Sequence, residues 1–234
     1  MFTAAESGRL ECNMPVDNPV FAFLNKMTDL LVLNLLFVLC CIPIVTIGPA
    51  ISAMYYVNLR SIRYGDGYVV RTFFKAFRES FKQSFVAWLI TMALGILFFI
   101  DVRFWTLNDF GSLSTIMAGV SIFFAFLCWI VTIWLFPLIA KTTNPLKVQI
   151  KNAAAMAAGH FFPYTLICVV VLIGAGYMAY TSLAADVVLL LIGFALISYM
   201  LSFFIYKVFA KYMDEEPVGE DDPLYGNPDK NRYE

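Results

Sequence analysis

Apolar residues in this chain fall in blocks of about twenty, the length a helix needs to cross a hydrocarbon core of about 30 Å. Few patterns restrict a fold more. In lipid every backbone N–H and C=O must find a partner inside the protein, so spanning segments are helices or closed barrels. The blocks read as helical spans, and the expected fold is all-α, a polytopic transmembrane helical bundle. Composition agrees: 61% of the 234 residues are hydrophobic and 14% charged, against about 25% charged in soluble domains.

Three regions follow. Residues 1–19 form a polar lead with Pro15 and Pro19, and contain no apolar stretch resembling a cleavable signal. Residues 20–212 form the membrane domain. Residues 213–234 form an acidic cytoplasmic tail expected to be disordered. Eight of the 17 acids lie in the last 21 residues; outside them 14 bases face 9 acids, an excess suited to anionic lipid head groups.

The first span, Phe21 to Ile42, carries Lys26 and Asp29 near its start, where both can reach the interface. It ends at Cys40-Cys41-Ile42-Pro43-Ile44-Val45-Thr46-Ile47-Gly48-Pro49-Ala50. Two prolines and a glycine there break any continuous helix. Pro43, Gly48 and Pro49 are read as the bend of a membrane hairpin whose second helix runs from Pro49 to about Arg63. A Gly65-Asp66-Gly67 turn precedes an amphipathic segment, Tyr68 to Phe85. At 100° per residue, Arg71, Lys75, Arg78 and Lys82 form a basic ridge beside an arc of Phe73, Phe74, Phe77, Phe81 and Phe85. That pattern predicts a helix lying in the cytoplasmic interface, packed on its own membrane domain, docking a partner or sensing lipid.

Further spans are expected at about Ser84–Phe104, Ser112–Phe136, Phe162–Thr181 and Asp186–Ala210, giving six helices, or five if Phe21–Arg63 crosses once. A short loop, Thr106 to Gly111, joins the third and fourth. Asn144-Pro145 predicts the start of a cytoplasmic helix reaching about Gly159, with Lys147 and Lys151 opposite a stripe of alanines. Eleven bases lie on the side of these two amphipathic segments and only Arg103 on the other, so that side and the C-terminus are expected in the cytoplasm.

Chemistry is sparse. No ionisable group sits at mid-span; Asn34 is the deepest strongly polar residue, and an interhelical hydrogen bond is its expected role. His160 is the only histidine. The five cysteines form no Cys-x-x-Cys or Cys/His cluster, and no phosphate loop, zinc motif, nucleophile elbow or catalytic carboxylate pair is present. An enzyme is not indicated, nor a catalytic residue, a cofactor, a metal or a nucleic-acid partner.

Asn34-Leu35-Leu36, Ile42 to Ala50, Ala53-Met54-Tyr55-Tyr56, the Gly-Asp-Gly turn, Arg71 to Phe77 and Phe81-Lys82-Gln83 together resemble the YesL-like bacterial integral membrane proteins (domain of unknown function family 624). Pro145-Leu146 and Asn152-Ala153 fit too, and the resemblance covers about residues 20–210. It implies a multi-pass protein of the bacterial cell membrane in Gram-positive-type bacteria. Members are often encoded beside carbohydrate uptake transporters and glycan-degrading enzymes, without a known activity. The implied role is an accessory component of carbohydrate uptake, with lipids and carbohydrate ABC transporter subunits as partners. Two alternatives stand beside it, a lipid-organising scaffold and a permease. For the permease, Asn152-Ala153-Ala154 to Gly159 resembles the loop by which importer subunits meet their ATPase. Asn stands there in place of the usual Glu, and the glycine comes one residue late.

Overall fold

In a computed structural model, residues 19–64, 69–108, 111–142, 144–159, 164–181 and 187–212 are described. The polar lead, the Gly65–Gly67 turn, His160, Pro163, Asp186 and the acidic tail lie outside them. Every element is helical. These are α1 (Pro19–Cys41), a one-turn 3-10 helix (Ile44–Thr46), α2 (Ile47–Tyr64), α3 (Val69–Leu107), α4 (Ser112–Lys141), α5 (Leu146–Gly159), α6 (Leu166–Thr181) and α7 (Phe194–Tyr212). A π-helical turn at Leu189–Gly193 leads into α7.

The all-α bundle is as expected, and the protein is a membrane protein. Among the described residues, four segments are long and apolar enough to span: Phe23–Cys41, Val69–Leu107, Ser112–Lys141 and Leu189–Lys211. Two of the six expected spans fall short of that measure. Among the described residues the α-helix of α6 runs 16 residues, with a π-helical lead at Tyr164 and Thr165. In α2 the chain is more polar, because the helix sits inside the protein: Ala50, Ala53, Met54, Tyr55, Val57 and Leu59 are all buried.

Two core clusters meet on α2, with Ile51 packing against both. One joins α1, α2, the first half of α3 and, through Ala195, the start of α7; the other joins α2 to Ala87 of α3 and to α4, α5, α6 and the rest of α7. Lipid tails are as apolar as leucine, so these helices are held by close packing and hydrogen bonds more than by exclusion of water. Buried pairs supply the bonds. Ser84 donates to Ser52 (2.8 Å) and the Asn58 amide to Ser198 (2.9 Å), tying α2 to α3 and to α7. Lys26 donates to Ser61 and lies 4.8 Å from the Tyr199 ring centroid, so this charge is engaged within the bundle. Trp134, wholly buried, donates its indole N–H to Thr165 Oγ1 at 3.0 Å. Thr165→Val keeps the shape of the site and orphans that donor. An expected loss of about 1 kcal/mol would show as a lower melting temperature in detergent, and an unchanged one would mean that another acceptor takes the indole.

One expectation is corrected. The amphipathic segment and the third span are one helix: no glycine or proline interrupts Phe81–Val86, and α3 runs 39 residues, about 58 Å. The basic segment is therefore collinear with the span and not a separate helix turned into the plane of the interface. The hairpin bend also packs beside the middle of α3, since the Trp88 indole donates to the Ile44 carbonyl at 2.9 Å. About 28 Å of α3 lies beyond it toward Leu107, so the bend and the Leu107 end of α3 are not level along this helix. Beyond Ala87 no α3 residue is buried, and on α4 sustained burial begins only at Ile130. The α3–α4 arm thus presents apolar side chains all round, as lipid-facing helices do. Its contact with α4 is fastened at Asp101, which accepts from Ser121 and from Trp105 Nε1 (3.1 Å).

Candidate functional site

The bend is built to satisfy its own backbone. Pro43 sits ahead of the 3-10 turn in extended conformation (φ −77°, ψ 118°). Thr46 repairs the break: its N–H donates to Pro43 O (3.0 Å), and its hydroxyl lies 2.5 Å from Cys40 O and 2.8 Å from Pro43 O. Pro49 falls in the first turn of α2, where its missing N–H is harmless. Pro43 is exposed, whereas Gly48 and Pro49 are buried. Gly48 marks a close approach, not a turn. A Cβ there would meet Trp88 Cβ at 2.5 Å and Ser84 O at 2.6 Å, so glycine alone lets α2 seat on α3. Ile42, Pro43, Ile44 and Val45 form an exposed tip without a charge.

On the first half of α3 the basic and aromatic residues part company. Phe73 is wholly buried, in one cluster with Leu30 and Leu33 of α1 and Ala53 and Met54 of α2. From it a ladder at i+4 spacing continues through Phe77, Phe81 and Phe85, with centroids 6.1, 5.5 and 5.9 Å apart. Phe77 packs on the same core, Phe81 is half-buried, and Phe74 is 50% exposed. Arg71, Lys75, Arg78 and Lys82 are all exposed, and among the described residues they engage no hydrogen-bond or ion-pair partner. The phenylalanine face therefore serves mainly this chain's own packing, and the basic ridge stands clear.

At the end of the ridge, α3 meets α5. Gln149, wholly buried, donates to Gln83 Oε1 (3.2 Å) and to Thr142 O (2.9 Å), while Gln83 donates to Asn144 O (3.2 Å). This amide relay holds α5 beside Lys82 and was not foreseen from the sequence. Its one signal is a pair of glutamines facing inward on two amphipathic helices. Ala153 and Ala157 pack inward, whereas Lys147, Lys151, Ala154, Ala155 and Ala158 are exposed.

Asn34 makes the interhelical bonds expected of it. Its amide donates to Leu190 O (2.7 Å) and its oxygen accepts from Ala195 N–H (2.9 Å). A cleft of about 600 Å3 between α3 and α4 is lined almost wholly by apolar side chains, among them Leu94, Phe98 and Trp129. Its two hydroxyls are committed to their own helices, Thr91 to Ala87 O and Thr132 to Cys128 O. Among the described residues no three His, Cys, Asp or Glu side chains converge on a point. The described cysteines, Cys40, Cys41, Cys128 and Cys168, are free thiols.

A family model described as a protein of unknown function, DUF624, matches residues 30–102. The sequence resemblance is borne out over that stretch, which holds the second half of α1, the bend, α2 and most of α3. No curated protein and no solved structure matches the chain.

Proposed function

We propose that this chain is a non-enzymatic, multi-pass component of the bacterial cell membrane that docks on a membrane partner. The ridge of α3 and the outer face of α5 form the docking surface. The observation that carries this reading is the row of four exposed bases, Arg71, Lys75, Arg78 and Lys82, next to phenylalanines already engaged by α1 and α2. Like charges three and four residues apart repel along a helix, and an acidic partner surface relieves that repulsion. The bias of bases to this side supports a cytoplasmic ridge and a cytoplasmic C-terminus. Carbohydrate importers are the partner class suggested by the resemblance.

The test is affinity purification from native membranes of cells grown with and without plant glycans. Reversing the ridge (Arg71→Glu, Lys75→Glu, Arg78→Glu, Lys82→Glu) is expected to cut recovery of transporter subunits about tenfold, equivalent to about 1.4 kcal/mol. Undiminished recovery together with unchanged growth on those glycans would overturn the docking model. A permease finds less support: the α3–α4 cleft offers a sugar no uncommitted hydroxyl, and a sugar site needs several placed hydrogen-bonding groups. Sugar uptake into liposomes holding only this protein would reverse that judgement.

A further inference from the structure

We infer that the acidic segment following α7, residues 213–234 of this same chain, is the resting occupant of the cationic ridge on α3. Charge is the first argument. The segment carries eight acids and two bases in 22 residues, against four exposed bases on the ridge with a single exposed acid, Glu79, on its flank. The second is where the segment begins. Near the end of α7, the Phe209 ring lies 5.5 Å from Lys141 Nζ. The next residue, Thr142, accepts from Gln149, which also donates to Gln83, the neighbour of Lys82. The last turns of α7 are thus linked, through Lys141, Thr142, Gln149 and Gln83, to the end of the ridge that carries Lys82. Reach is the third argument. The ridge is about 16 Å long from Arg71 to Lys82, and a coil of 22 residues has a root-mean-square span of about 26 Å. A tether of that size holds its acids near the ridge at about millimolar effective concentration. The contact stands on these observations. Its consequence, that a partner must displace the segment in order to dock, rests on the docking reading above.

The experiment uses the full chain in nanodiscs and a zero-length carbodiimide, which joins lysine amines to carboxylates. Crosslinks are expected from Lys75 and Lys82 to acids within 214–222, inside one copy when isotopically heavy and light copies are mixed. Their yield should fall about fivefold in 1 M salt, where charges are screened beyond about 3 Å. Arg71→Glu with Arg78→Glu preserves both reporter lysines and should lower the yield similarly. Crosslinks confined to Lys207 and Lys211 would overturn the proposal, as would crosslinks between copies or yields indifferent to the two reversals. Loss of ridge crosslinks when anionic lipid is included would give the ridge to head groups and overturn it as well. Truncation after Tyr212 separates this inference from the docking model. Greater partner recovery from the truncated chain supports both, whereas ridge crosslinks in the full chain with recovery unaffected by ridge reversal or truncation support the clasp and reject docking.

Discussion

Asn34→Leu is expected to destabilise the detergent-solubilised protein by about 2–4 kcal/mol, the largest effect of any single polar substitution in the bundle. Asn34 is fully buried in the second half of α1, and its side-chain amide is inserted into the backbone of the π-helical turn that leads into α7. Leu190 and Ala195 are five residues apart, the pair that a closed π turn bonds directly. Here the Asn34 amide stands between them, donating to one and accepting from the other. Leucine would leave the buried Ala195 N–H and the Leu190 carbonyl, which lies on an exposed residue of an apolar span, without these partners, at about 1–3 kcal/mol for each group cut off from water, although bonds between membrane helices often measure less. At about 2–4 °C per kcal/mol, the loss is readable as a shift in melting temperature. A loss below about 0.5 kcal/mol would mean that the turn closes on itself, and that Asn34 selects this conformation without sustaining it.

Gly48→Ala is the second large effect, expected at about 2–3 kcal/mol. One methyl group would fall 2.5 Å from Trp88 Cβ and 2.6 Å from the Ser84 carbonyl, and neither backbone can yield without moving a helix. Parting α2 from α3 also breaks the Ser84–Ser52 bond and the Trp88–Ile44 bond. Gly95→Ala on α3 is the control. Nothing lies within 4 Å of its added methyl, and alanine's higher helix propensity should leave the protein unchanged or up to about 1 kcal/mol more stable. Equal melting temperatures for the two variants would show that α2 does not approach α3 this closely.

Much of the candidate surface was legible because charge and period are local properties. Arg71, Lys75, Arg78 and Lys82 fall on one line in any helix, and a row of four bases stays out of an apolar core unless it is paired. The phenylalanines were not separable in the same way. Phe73 and Phe74 are adjacent letters in one aromatic arc, yet the first is fully buried and the second half exposed, because α1 and α2 cover only part of that arc. Gln83 and Gln149 were invisible as a pair, being 66 residues apart and brought together only by the path of α4.

The sequence by itself determined the class of fold. Apolar blocks of membrane length leave helices as the solution, and Pro43, Gly48 and Pro49 forbid a continuous helix there whatever surrounds them. It determined as well that four bases share one face of α3. Tertiary structure alone decided that Gly48 is a contact point, that the bend lies beside Trp88 and not level with Leu107, and that Asn34 completes the backbone of α7. The physical reason is the range of the forces. Periodicity and backbone bonding act within a turn or two, whereas the depth at which one helix seats on another depends on where distant small residues and hydrogen-bonding groups meet.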